Sequence, residues 1–333
     1  MKKFIFKNHQ LLEEKQAQVS INERAFLFGD GIFETCKIFN GKIYDFKSHE
    51  ARIIKGLKTL KFSAEINDLE KRSQKLIKKN NVKNGILRIS ISRGIGSFGY
   101  LPAEDSQSLI IIQTLEERNL PTKISLGIST IKKPSKNSLP IDCKTMQALP
   151  SILTKIEAKE KNLFDCVMLS QENFISETSS ANIFWVRTSS KSRCDEVDSE
   201  VCENRSGDVS KHTLSEEAKA NFSKRPSQLD DFEQVLGKGK IYTTSKACDI
   251  LPGTVRQKLL KISPIKIFEV KAELSDLKNA EEIFLTNSSS LVIAVDELVF
   301  FEKGKKIIKK LQKNFGNKFQ KLLQNDVEKS CKN

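Results

Sequence analysis

Lys144-Thr-Met-Gln-Ala-Leu-Pro150 is followed, 33 residues after its lysine, by Glu177 within Ser176-Glu-Thr-Ser-Ser-Ala-Asn-Ile-Phe184, and these two stretches decide the fold. Most lysines of so basic a chain must be solvated surface groups, because an unpaired ammonium is rarely buried. Lys144 differs in context, since it follows Ile141-Asp-Cys143 and precedes a predicted helix over Pro150–Lys161. A primary amine in a pocket can form an imine with an aldehyde and then carry a proton, provided its surroundings lower its pKa. Strands over Cys166–Leu169 and Asn182–Val186 are predicted to pair, and Glu177 falls between a strand ending near Ile175 and the one beginning near Asn182, the position of a turn carboxylate.

Three further segments flank this pair. Upstream, Arg24-Ala-Phe-Leu-Phe-Gly-Asp-Gly-Ile-Phe-Glu-Thr35 precedes His49-Glu-Ala-Arg52, and Ser92-Arg-Gly-Ile-Gly-Ser-Phe-Gly-Tyr-Leu-Pro102 follows an apolar strand. Downstream, Leu251-Pro-Gly-Thr-Val-Arg256 pairs with Phe284-Leu-Thr-Asn-Ser-Ser289. Gly29 and Gly31 mark a tight bend, and no dinucleotide fingerprint is present. Phe33, Glu34 and Thr35 extend the strand that leaves this bend.

Apolar periodicity predicts strands at Lys3–Phe6, Gly31–Phe39, Ile86–Ser92 and Ser108–Thr114, with helices over Lys47–Leu60 and Asn67–Lys79. Asn40-Gly41 is a hairpin turn. Later strands are expected at Ile124–Ile131, Lys240–Thr244, Ile265–Val270, Ile283–Thr286 and Leu291–Val295, with a helix from Thr254 to Lys261 and a terminal helix near Lys305–Leu323. The pattern is an α/β (α+β) chain of two units, a small N-terminal one over 1–118 and a larger one over 119–333. Residues 188–236, rich in Ser, Asp, Glu, Lys and Asn, carry little periodic apolar content and read as a disordered surface insertion.

Composition excludes several classes of function. The net charge of +14 invites a nucleic-acid partner, but lysine outnumbers arginine, and the densest basic run, Lys303 to Lys313, has the spacing of a solvated helix face. No nucleic-acid binding is therefore expected. Seven cysteines form no Cys-x-x-Cys pair and only three histidines occur, so a metal site has no support. No apolar run approaches about 18 residues, so no membrane span is expected. Reduced thiols and the lack of a secretory leader point to the cytoplasm.

Taken in order, the four segments resemble the class IV aminotransferases, the fold-type IV pyridoxal phosphate enzymes. This resemblance covers nearly the whole chain outside 188–236. It implies two lobes with pyridoxal phosphate between them, a homodimer, a small-molecule amino substrate, and a strand passing the site in which Phe33, Glu34 and Thr35 serve as scaffold and substrate wall. Lys144 matches the family's Schiff-base lysine, and Glu177 the carboxylate that keeps the pyridine nitrogen protonated so that the ring can accept electrons. Arg52 matches the phosphate-binding arginine, a role that suits a planar guanidinium. Thr254 and Val255 would offer main-chain N–H groups to the phosphate at a helix N-terminus, and Ser288 a hydroxyl.

Within the family, Ser92-Arg-Gly-x-Gly-x-x-Gly-Tyr-x-Pro102 and Ser179-Ser-Ala-Asn-Ile-Phe-Trp185 look most like the aminodeoxychorismate lyases, which release pyruvate from 4-amino-4-deoxychorismate to give 4-aminobenzoate for folate synthesis. Phe98 stands where that subgroup commonly has arginine, which leaves Arg93, with Thr35, as the expected substrate-binding residues. Phe98-Gly-Tyr100 also lacks the Arg-x-His element of the D-amino acid aminotransferases, and Ala148 and Leu149 replace an aromatic position of the branched-chain enzymes. The lyase is thus expected ahead of an aminotransferase for D-amino acids or branched-chain L-amino acids with 2-oxoglutarate. A non-catalytic vitamin-binding or scaffold protein is the third reading, and the presence of Lys144 speaks against it.

Overall fold

The computed structural model describes residues 3–96, 99–117, 119–188, 232 and 239–332. The expected insertion over 188–236 lies outside these residues apart from positions 188 and 232.

The N-terminal part builds one six-stranded sheet from β1 (Phe4–Lys7), β2 (Gln10–Glu13), β3 (Gly31–Phe39), β4 (Lys42–Ile43), β5 (Gly85–Ser92) and β6 (Leu109–Leu115), in the order β2-β1-β6-β5-β3-β4. Successive strand residues face opposite sides. Along β3, Cys36 and Ile38 therefore join Leu87, Ile89 and Ile91 of β5 in a core that α2 (Phe46–Thr59) and α3 (Leu69–Lys79) close with Ile53, Leu57, Leu69, Leu76 and Ile77. Phe33 and Thr35 face the other way. The Asn40-Gly41 hairpin forms as expected, both residues having positive φ, although its return strand is only β4.

The remainder builds two five-stranded sheets. One is ordered β12-β11-β10-β13-β14 and the other β16-β15-β7-β8-β9. Their strands are β7 (Ser125–Ile128), β8 (Asp165–Leu169), β9 (Ile175–Thr178), β10 (Asn182–Thr188), β11 (Gly239–Thr244), β12 (Ile267–Val270), β13 (Glu282–Asn287), β14 (Leu291–Ala294), β15 (Glu297–Glu302) and β16 (Lys305–Lys310). Val167, Ile183, Trp185, Leu285 and Leu298 fill the space between the sheets. On the outer side, Phe184 stacks on Phe284 at 5.0 Å, beneath Val255 and Leu259 of α5 (Thr254–Ile262) and Phe319 of α7 (Asn314–Ser330). The helices α1 (Arg24–Phe28), α4 (Leu149–Glu160) and α6 (Leu274–Asn279) and short 3-10 turns at Glu14–Gln16 and Lys246–Cys248 complete the described elements.

Two expectations fail here. β8 and β10 do not pair: β8 runs between β7 and β9, whereas β10 lies between β11 and β13 in the other sheet. The terminal helix does not begin near Lys305. Lys303 and Gly304 both take positive φ and turn β15 back into β16, so the basic run forms a sheet-edge hairpin rather than a helix face, and the helix starts at Asn314.

Candidate active site

The lysine segment is held as an extra partner of β3. Phe33 N–H donates to the Lys144 carbonyl at 2.9 Å, and Met146 N–H to the Gly31 carbonyl at 2.9 Å. Glycine is required at position 31, because a Cβ there would lie 2.7 Å from the Ile91 oxygen and 3.0 Å from Met146 Sδ. The bend seen in the sequence thus carries Lys144 to the face of the sheet where Phe33 and Thr35 look out.

That face closes a cavity of about 1310 Å³ against the C-terminal sheets, and Lys144, Arg52, Glu177, Thr254, Val255, Ser288 and Thr35 all line it. The Lys144 ammonium lies 4.7 Å from the centre of the Phe33 ring. Burial, and next the positive charge of Arg52, lower its pKa from the ordinary 10.5 to about 8. An amine in that range is available as a nucleophile and proton carrier near neutral pH.

Glu177, on β9, is fixed from several sides. Its Oε2 accepts from Asn182 Nδ2 at 2.8 Å and from the Leu251 N–H at 3.2 Å, while Lys133 Nζ donates to Oε1 at 2.5 Å. Arg52, on α2, points its guanidinium at β3, where Nε and Nη2 grip the two oxygens of Glu34 at 2.6 and 2.7 Å. Nη1 donates to the Pro252 carbonyl at 3.3 Å, beside the start of α5. His49 Nδ1 lies 2.7 Å from Glu34 Oε2. Burial alone would raise the pKa of Glu34, but the hydrogen bonds from Arg52 and His49 and their charges override it and hold the carboxyl at about 2.

The first turn of α5 is buried at Thr254 and Val255, and no side chain caps it at Gly253, so its leading N–H groups face the cavity as a ready anion site. A Cβ on Gly253 would stand 2.2 Å from Asn182 Oδ1, so only glycine allows helix and strand to approach this closely. Thr254 Oγ1 and Ser288 Oγ lie 3.2 Å apart across the cradle.

Arg93 is not brought to this cavity. Asp30 takes its Nε at 2.8 Å and its Nη2 at 3.2 Å, the Leu60 carbonyl accepts a second bond from Nη2 and the Lys61 carbonyl one from Nη1, and the Phe62 ring lies 4.8 Å from the guanidinium carbon. Its work is to fasten β5 to the bend before β3, because the strand-end register points it away from the cavity. Phe98 lies outside the described residues, and Tyr100 and Leu101 are exposed.

Glu34, expected with Phe33 and Thr35 as scaffold and substrate wall, is turned by strand alternation to the opposite face of β3, where it is buried against Arg52 and His49 of α2. Asn182, Lys133 and Arg88 escape a sequence reading, the first two because they act through Glu177. Arg88 left a signal, being the one charge in the apolar run Ile86-Leu-Arg-Ile-Ser-Ile91. It pairs in register with Thr35, lines the cavity, and lies 4.1 Å from the Phe33 ring, where burial lowers its pKa.

An amine of lowered pKa, a fixed carboxylate, and an anion cradle of guanidinium, helix N-terminus and hydroxyl suit the aldehyde, ring nitrogen and phosphate of pyridoxal phosphate. The sequence matches the family model for class IV aminotransferases over residues 31–298. A Methanocaldococcus jannaschii protein assigned as a branched-chain-amino-acid aminotransferase is 22% identical over 328 residues, 96% of each chain. A Staphylococcus aureus D-alanine aminotransferase is 25% identical over 186 residues, 55% of this chain and 66% of the relative. In structure, the Escherichia coli branched-chain amino acid aminotransferase superposes with a TM-score of 0.76 at 18% identity, covering 98% of this chain and 95% of the other. A Legionella pneumophila protein assigned as a 4-amino-4-deoxychorismate lyase gives 0.70 at 20% identity, covering 94% and 97%. The chain therefore belongs to the class IV aminotransferases, enzymes that work with pyridoxal phosphate.

Proposed function

We propose that Lys144 is the catalytic residue of a pyridoxal phosphate site in which Glu177 faces the ring nitrogen and Arg52, Thr254, Val255 and Ser288 hold the phosphate. The observation that carries this reading is the meeting of Lys144, Glu177 and Arg52 in one cavity. When bound, the cofactor supplies an electron sink for a negative charge formed at the substrate carbon that bears the amino group. Lys144 would hold the cofactor's aldehyde through its amine, and as a free amine would carry the proton to or from that carbon. Glu177 is held in place by Asn182 and the Leu251 N–H, and would there serve the ring nitrogen with its carboxylate. Glu34 keeps Arg52 extended toward the start of α5, where guanidinium and helix N-terminus meet one anion.

The reaction that this cavity suits best is transamination between an amino acid and a 2-oxo acid. Arg88 supports it, as a guanidinium at the cavity wall beside the Thr35 hydroxyl, able to take the second carboxylate of 2-oxoglutarate or glutamate. The names of the curated relatives point the same way. Aminodeoxychorismate lyase activity is the second reading, favoured by Thr35 at the wall and by the Gly99-Tyr-Leu-Pro102 motif. Its first candidate for carboxylate binding, Arg93, is occupied by Asp30. The same account has the chain act in the cytoplasm as a homodimer, and the exposed apolar row Leu149, Ile152, Leu153 and Ile156 along α4 supports association with a second copy.

Purified protein is to be incubated with L-leucine or D-alanine plus 2-oxoglutarate, and separately with aminodeoxychorismate. Glutamate formation without 4-aminobenzoate is expected. Release of 4-aminobenzoate without glutamate would replace transamination by the lyase reading.

A further inference from the structure

Lys133 is a second lysine of the cavity, in contact with Glu177 but given no part in the proposed chemistry. It follows β7, with its backbone pinned on both sides: its N–H donates to the Leu169 carbonyl at 2.8 Å, and its carbonyl accepts from Gln171 Nε2 at 2.8 Å. The side chain is thereby delivered inward, and its ammonium meets Glu177 Oε1 with only 14% of the lysine side chain and 8% of the glutamate side chain exposed. Burying an ammonium is costly unless a partner compensates it, and surface sites for this lysine would carry no such cost.

The contact has a chemical consequence. The charged groups around the Lys144 amine are Arg52 from α2, Glu34 from β3, Glu177 from β9 and Lys133, with Arg88 of β5 on the Phe33 ring that Lys144 also touches. Glu34 is already matched by Arg52. Without Lys133, Glu177 would face Lys144 as an unmatched negative charge and favour its protonated form, the form that cannot attack an aldehyde. Lys133 also draws on one oxygen of Glu177 and leaves the other to Asn182 and Leu251, which orients the carboxylate.

We propose that Lys133 is a positioning residue of this site, fixing the Glu177 carboxylate and offsetting its charge where that carboxylate faces Lys144 and the ring nitrogen of the cofactor. This rests on the cofactor reading above. Lys144 itself remains the only lysine asked to bond the cofactor.

The test is competitive labelling of full-length protein, freed of cofactor, with trace acetic anhydride across pH 6–11, scored peptide by peptide in a mass spectrometer to give the pH at which Lys144 is half reactive. In Lys133→Gln and Lys133→Met that pH rises by about one unit, the size expected for losing one nearby compensating charge. The glutamine variant retains a hydrogen-bond donor for Glu177, so it keeps the fold while removing the charge. Lys133→Arg restores the original midpoint, and Lys133→Gln combined with Glu177→Gln returns close to it. An unchanged midpoint in both single variants, or a double variant as high as the single ones, overturns the proposal. Borohydride fixation of pyridoxal phosphate to the unaltered protein is run alongside. Failure to fix it on Lys144 removes the cofactor reading, while the midpoints still judge the coupling of Lys133 to Glu177.

Discussion

At Glu34 one carboxylate satisfies the Arg52 guanidinium and the His49 ring, and glutamine in its place leaves both beside a neutral amide. Breaking a buried ion pair from one side costs about 3–5 kcal/mol, so Glu34→Gln is expected to lower the unfolding midpoint in urea and to weaken pyridoxal phosphate binding at least about tenfold in a fluorescence titration. The pH dependence follows from the depressed carboxyl. Glu34 titrates at about 2 in the folded chain against an ordinary 4.5, so its contribution is complete above pH 4.5 and disappears as the pH falls toward 2. Urea unfolding at pH 6, 4 and 3 should show the unaltered protein losing stability faster than Glu34→Gln, and parallel losses would contradict the ion-pair account. Lys144 has its own pH signature. Bonding of added pyridoxal phosphate should accelerate as the pH rises through about 8 and level off above it, as measured by stopped-flow absorbance. Lys144, Glu177 and Arg52 were legible in the sequence because each sits in a local motif. Glu34 was not, since its function depends on α2 packing across β3, a contact that residue spacing does not encode. Arg93 misled for the converse reason: an arginine at a strand end shows nothing in sequence of the Asp30 that engages it.

The helix α5 shows how an element serves the site through its end rather than its face. Gly253→Ala would force Asn182 or the helix to move, because the new Cβ meets Asn182 Oδ1 at 2.2 Å. Displacing Asn182 also loosens Glu177. Cofactor affinity is expected to fall about tenfold or more while the circular dichroism spectrum is retained, a site defect rather than a fold defect. An unchanged affinity would show that the close approach of β10 and α5 is not needed for binding. Elements of strong periodicity, such as β3, β5, α2 and α4, were legible within a residue or two of their ends. The hairpin of β15 and β16 was not. Lys305-Lys-Ile-Ile-Lys-Lys310 suits a helix as well as a strand, and its conformation was set by the turn at Lys303-Gly304 and by pairing with Glu297–Glu302. Strand partners were likewise invisible, because β8 and β10 lie close in sequence, with only β9 between them, yet belong to different sheets whose membership is decided by long-range packing.

For the whole molecule, the three sheets explain why the motifs lie so far apart in the chain. The N-terminal sheet supplies Phe33, Thr35 and Arg88, its helix α2 supplies Arg52, and the C-terminal sheets supply Glu177 and the cradle at α5, so the cavity exists only when these parts meet. The apolar row on α4 is a large-scale feature of a different kind, since nothing among the described residues covers it. Ile152→Glu is expected to shift the protein from dimer to monomer in light scattering after size exclusion, and a monomeric unaltered protein would contradict the dimer. The central claim, that Lys144 bonds the cofactor, is tested most directly by reducing protein loaded with pyridoxal phosphate with borohydride, digesting it, and locating the modified lysine by mass spectrometry. The account predicts the adduct on Lys144 and its loss in Lys144→Ala. An adduct on Lys133 or any other lysine in the unaltered protein would contradict it.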